Sequence, residues 1–310
     1  VLNVIAAAVM CCAGVTASQA QAWAGPNRPS HVPPGYIITP FGYFDPGCVA
    51  HLAERDVLRS DQHLIQHADG TATQMPACAH VHYSANGDAI GDNALGVTNP
   101  TINGWVEYAS VTTTSAYGLL SAQFSVPYTP ASKDGQTLFY FPGLEDSTHV
   151  VTILQPVLGW NSDFPSAWGI ASWNCCQSGT VFEATPQRVS PGDTIYGVIS
   201  CASGGTACTS WNVVTTDMQN GKSSQLLATS SFGQTFSWAF GGVLEVYNVV
   251  KCSDFPGNGS ISFNNLQLAS SLGRRIPHPK WSFTNLSSGF TPQCFYGGEL
   301  PAQVVLQAIQ

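Results

Sequence analysis

Charge is scarce in this chain: Asp, Glu, Lys and Arg make up 9% of its 310 residues, and Lys plus Arg number only ten. An average globular domain carries roughly 25%. The ten cations are scattered and the formal net charge is -8, which argues against a nucleic-acid partner. Beyond residue 22 no run approaches the roughly twenty apolar residues of a membrane-spanning helix, which argues against stable membrane insertion. Neither HExxH nor a repeated CxxC occurs, so no metal site is expected. The serine elbow GxSxG and the phosphate loop GxxxxGKS are missing too, and nothing calls for a cofactor.

What is present is an apolar chain, 44% hydrophobic, with ample material for a buried core. Its polar residues are mostly Ser, Thr, Asn and Gln, a surface suited to acid, where a lysine-rich one would repel itself. Residues 1–22, VLNVIAAAVMCCAGVTASQAQA, run from apolar to small residues ending Ala20-Gln21-Ala22, the pattern of a cleaved signal peptide. The expected destination is extracellular.

Removing residues 1–22 leaves eight cysteines: Cys48, Cys78, Cys175, Cys176, Cys201, Cys208, Cys252 and Cys294. An even number in a secreted chain favours disulfides. The plausible pairs are Cys48 with Cys78, Cys201 with Cys208 around a Gly-rich loop, and Cys252 with Cys294. The adjacent Cys175 and Cys176 either pair with each other or impose another connectivity. Asn258-Gly-Ser260 and Asn285-Leu-Ser287 are N-glycosylation sequons in turn-like settings.

Three segments emerge. Residues 1–22 form the leader, and 23–103 read as an irregular propeptide-like segment, Pro- and Gly-rich at first. A short amphipathic helix is expected within HLAERDVLRSDQHLIQHADG. Its neighbourhood holds His51, His63, His67, His80 and His82, irregularly spaced and best explained as solvated or pH-responsive. From residue 104 to 310 at least nine short β-rich runs alternate with turn signals, and no helix-length periodicity occurs. The expected fold is all-β, an antiparallel β-sandwich of the concanavalin A-like, jelly-roll type.

In the β-rich part the carboxylates are few: Glu107, Glu145, Asp146, Asp163, Glu183, Asp193, Asp217, Glu245 and Asp254. Asp193, Asp217 and Asp254 stand in turn sequences, where a carboxylate ordinarily caps backbone N–H groups. Glu245 differs, because it interrupts the apolar GGVLEVYNVV. A second oddity is Gln155, a lone amide in VVTILQPVLGW directly before Pro156. An amide inside an apolar strand needs a partner.

Several ordered blocks carry a resemblance: YGLLSAQFSVP at 117–127, FPGLEDS at 141–147 followed by TILQPV, SAWGIASW at 166–173 followed by SPGDTI, TTDMQNGKSS at 215–224, and FSWAFGGVLEVYNV at 236–249. Together, over roughly residues 104–269, they resemble the secreted, acid-acting glutamic endopeptidases, or eqolisins, and more distantly the neprosin type. The resemblance implies an endopeptidase acting on polypeptides without metal or covalent intermediate, and a monomer made as a zymogen is expected. It puts Gln155 on the catalytic glutamine and Glu245 on the catalytic glutamate. Glu145 and Asp146 become supporting acids. Phe141, Trp160, Trp168, Trp173 and Tyr247 become cleft-lining aromatics. In such a dyad the glutamate removes a proton from water and returns it to the leaving amine, while the amide orients the water and stabilises the oxyanion. Two alternatives remain. A glycosidase would pair Glu245 with Glu183 or Glu145 across about 5 to 9.5 Å, and a lectin-like binding module would use the sandwich without the dyad.

Overall fold

The computed structural model describes residues 28–59, 64–75, 78–90, 104–148, 152–175, 179–204, 208–300 and 303–309. Two large sheets face one another as a β-sandwich. The nine-stranded sheet runs, in spatial order, Ser282–Asn285, Trp105–Thr112, Trp238–Tyr247, Thr137–Glu145, Ile153–Trp160, Trp168–Cys175, Val181–Ala184 and Val49–Leu52, with Gln187–Val189 also pairing to Trp168–Cys175. The eleven-stranded sheet is centred on Ser260–Ser270, Tyr117–Ser125, Thr194–Cys201, Ser210–Asp217 and Ser223–Ser230. Between the sheets lies the main core, which includes Leu120, Phe124, Tyr140, Leu158, Trp211 and Phe263.

The two sheets carry different sequence patterns for a physical reason. In Thr194–Cys201 and Ser210–Asp217 buried and half-buried residues alternate, as expected of a sheet with one face on the core and one toward water. Thr137–Glu145, Ile153–Trp160 and Trp168–Cys175 are buried at every position. Their unbroken apolar runs reflect a sheet covered on both faces.

The second cover is the N-terminal segment. Ile37–Thr39, Gly42–Phe44, His82–Tyr83 and Ala89–Ile90 form a small four-stranded sheet. Its Tyr43 and Phe44, with Val32 and Tyr36, join Phe139, Phe141 and other residues of the nine-stranded sheet in a second core. Val49–Leu52 then pairs in parallel with Val181–Ala184, and Leu227 pairs in parallel with Val57 at the edge of the other sheet.

This corrects two sequence expectations. Residues 28–47 are not irregular throughout, because they form the strands Ile37–Thr39 and Gly42–Phe44, with Tyr36, Tyr43 and Phe44 buried against the sandwich. The expected helix is replaced by the strands Val49–Leu52, Val57–Arg59, Leu64–Gln66 and Ala72–Gln74. Sheet pairing overrides the weak helical periodicity of so short a stretch. The leader, His63 and Cys176 lie outside the described residues.

Three disulfides are formed: Cys48–Cys78, Cys201–Cys208 and Cys252–Cys294. Cys175 is disulfide-bonded as well. Asn258 and Asn285 are both exposed. Among the described residues no helix is long and apolar enough to cross a membrane.

The register of Thr137–Glu145 against Trp238–Tyr247 shifts between Phe141 and Gly143, where Pro142 has no N–H to give to the ladder. Opposite it stand Gly241 and Gly242, and a Cβ on Gly242 would come within 2.5 Å of the Phe263 ring. Gly242→Ala is therefore expected to destabilise the fold by about 1–3 kcal/mol, the range for an overpacked core. Urea unfolding checks this, and an unchanged midpoint would contradict it.

Candidate active site

Leu144 pairs with Leu154 across adjacent strands, and both point into the main core. Their neighbours Glu145 and Gln155 consequently point to the other face, where Gln155 meets Pro40 of the N-terminal segment. Glu245 pairs with Phe139, a residue of the second core, and lies between Leu244 and Val246 of the main core. It therefore shares the face of Gln155 and Glu145. Gln155 and Glu245 stand on the two strands flanking Thr137–Glu145. All three side chains are sealed, with relative exposures of 0% for Gln155, 1% for Glu145 and 0% for Glu245.

Each is held differently. Glu245 Oε2 accepts a hydrogen bond from Trp105 Nε1 at 3.0 Å, and Oε1 accepts one from the Tyr247 hydroxyl. Burial holds the Glu245 carboxyl well above the usual range, the two donors oppose that shift, and the charge of Glu145 adds to it. Gln155 Nε2 donates to the backbone carbonyl of Pro40 at 3.4 Å, and its Oε1 is buried without a protein partner among the described residues. Glu145 Oε2 is likewise buried without a partner, and burial pushes this carboxyl up to about 8. Asp146 serves the turn instead: it accepts from Thr148 N and Oγ1 and from Thr235 N.

The aromatics divide between the two faces. Phe141, Trp173 and Tyr247 belong to the second core, on the Gln155 side. Trp160 and Trp168 point into the main core and pack on each other with ring centroids 5.3 Å apart. They cannot line the Gln155 face, which corrects the expectation for both. Strand parity decides this: each lies an odd number of positions from the outward residue on its strand, Gln155 or Trp173.

The remaining carboxylates also separate. Asp193, Asp217 and Asp254 accept backbone N–H bonds in turns, as their sequences suggest. Glu107 sits on the inner side, where its charge would act on Tyr140, and burial raises it to about 8. Glu183 lies next to Trp173 in the register, and its Oε2 is 2.8 Å from His51 Nδ1. Burial and the neighbouring Glu183 hold Asp163 well above the usual range. Among the described residues no group of three or more His, Cys, Asp or Glu side chains is arranged to hold a metal ion.

Sequence reasoning missed Trp105 as a donor to Glu245 and Pro40 as the partner of Gln155. Each pair is more than a hundred residues apart in the chain, and neither has a local sequence signal.

The β-sandwich is similar in fold to that of solved glutamic peptidases. Scytalido-glutamic peptidase, solved with a peptide-based transition state analogue, matches with a TM-score of 0.50 and 15% identity, over 66% of this chain and 98% of its own. SCP-B, a member of the eqolisin family of peptidases solved with the tripeptide Ala-Ile-His, matches over the same shares at 17% identity and a TM-score of 0.48. At such identities the likeness is one of fold. No protein-family model matches the sequence, and no curated protein sequence matches it either.

Proposed function

We propose that the chain is the precursor of a secreted, acid-acting endopeptidase, and that Gln155 and Glu245 on the covered sheet face are its working pair. The observation that carries this reading is the hydrogen bond from Gln155 Nε2 to the Pro40 carbonyl. A side-chain amide aimed at a peptide carbonyl is the arrangement needed to stabilise an oxyanion when that carbonyl belongs to a substrate. Glu245, on the same face, would take the proton from the attacking water. Phe141, Trp173 and Tyr247 would then line an apolar cleft for an extended polypeptide.

On this reading residues 28–90 are an inhibitory cover: the Pro40 carbonyl occupies Gln155, and Tyr43 packs on Tyr247, the donor to Glu245. Cys48 and Cys78 are bonded to each other within that segment, so their disulfide does not tie it to the sandwich. The test is to incubate the secreted protein between about pH 3 and 7 with an unfolded protein substrate and to determine the N terminus of the active species by mass. Acid-dependent cleavage by a form beginning beyond Cys78 is expected. Activity with residues 28–90 still attached would overturn the cover, and absence of cleavage at every pH would overturn the peptidase.

A further inference from the structure

One edge of the eleven-stranded sheet has a gap. Ser260–Ser270 pairs on one side with Tyr117–Ser125. On its other side Val304–Ile309 pairs with it as far as Phe263, and Arg275–Ile276 pairs with Leu268 and Ala269. Residues 264–267 therefore have no strand beside them on that edge among the described residues. The sequence explains why pairing stops. The next register position would set Pro277 against Gln267, and proline has no N–H to give to a ladder. His278, with a φ of 51°, and Pro279 follow as the chain turns away, and Ser282 then pairs with Ser110 of the opposite sheet.

Where the strands part, a cavity of about 840 Å³ opens, with Asn265 and Leu266 on one wall and Arg275, His278, Lys280 and Trp281 on the other. Its charge is unusual for this chain. Arg274, Arg275 and Lys280 are three of the ten Lys and Arg residues, and no Asp or Glu occurs between Asp254 and Glu299. Arg275, His278 and Lys280 are exposed, and none of them makes an ion pair with a described carboxylate. On a chain of net charge -8, the gap is thus a concave cationic spot, which concentrates anions.

We propose that the gap binds an acidic polypeptide segment, which enters in extended form as an added strand along residues 264–267. Two observations choose this ligand. An uncovered strand edge presents N–H and C=O groups that another peptide backbone can match. The cations on the far wall, free of carboxylate partners, select acidic side chains. Four residues of strand span about 13 Å, and side chains alternate along it, so acids at every second position face the same wall. The site does not depend on the peptidase reading, because Gln155 and Glu245 belong to the nine-stranded sheet.

The experiment follows the fluorescence anisotropy of a labelled octapeptide of alternating Glu and Thr with the full chain at about pH 6, above the ordinary glutamate value of about 4.3. Mass analysis checks that the peptide stays intact. Saturable binding is expected, and it should weaken as salt is added, because the wall contacts are exposed ion pairs. The Gln-for-Glu peptide, and the Arg275→Gln, Lys280→Gln double variant with the original peptide, should each bind about tenfold more weakly, the loss of two such pairs. The Glu–Thr peptide N-methylated at alternate residues should lose binding on the parent chain, since strand addition needs its N–H groups. Binding that survives N-methylation, or equal competition by an oligogalacturonate of the same charge, would reduce the gap to a charged patch and overturn strand addition. No binding, or undiminished binding by the double variant, overturns the site and leaves the cations as guards of an open edge. Both substituted side chains are exposed, so the variant should keep the parent's Tm. The N-methyl comparison stands even if it does not.

Discussion

Glu245→Gln is expected to reduce peptide cleavage by about 10²–10⁴-fold, the usual contribution of a positioned general base. The amide that replaces the carboxylate keeps an oxygen to accept from Trp105 or Tyr247, yet cannot take a proton from water. The fold should survive, because the site is fully buried and the replacement has nearly the same volume. Near-UV circular dichroism on the unprocessed chain and cleavage assays across pH on the processed one separate the two effects. Undiminished cleavage would remove Glu245 from the reaction. Loss of the folded signal would instead make Glu245 a structural acid.

The second large effect is on stability against pH. Burial raises Glu183 to about 7 and both Glu107 and Glu145 to about 8, and it holds Asp163 and Glu245 well above the usual range. In the unfolded chain these groups lose their protons near pH 4. Between there and about pH 7–8 the folded state therefore binds more protons than the unfolded one, and stability falls as pH rises. The contribution is fully present below the unfolded values and is lost as pH passes through the folded ones. For a shift of about three units it is on the order of a few kcal/mol per group.

His51 acts in the opposite sense, because burial lowers its pKa and stability is lost as protons are added to it. The carboxyls outnumber it, so Tm is expected to be highest in acid and to drop between about pH 4 and 8. A Tm that stays flat or rises over that interval would contradict the burial of these acids.

Much of the fold was legible in the sequence. Turn signals and short β-rich runs identified the sandwich, and the cysteine spacing suggested the three pairs now seen as Cys48–Cys78, Cys201–Cys208 and Cys252–Cys294. The turn acids were readable too, since a carboxylate capping nearby N–H groups is a local arrangement. Gln155 and Glu245 stood out because polar side chains in apolar strands are costly without partners. Those partners were not legible, because Pro40 and Trp105 come from distant parts of the chain.

Beyond residue 104 the sequence by itself determined which segments become strands and which acids serve turns, as both follow from interactions among residues close in the chain. That the strand at 137–145 is buried at every position emerged only in the structure. Only the tertiary structure decided what lies on the second face. Strand parity sent Trp160 and Trp168 inward and Gln155, Glu145 and Glu245 outward, and the packing of Tyr43 and Phe44 laid the N-terminal segment over the second core. Burial, a property of the assembled layers, is what raises the pKa of Glu145 and Glu245.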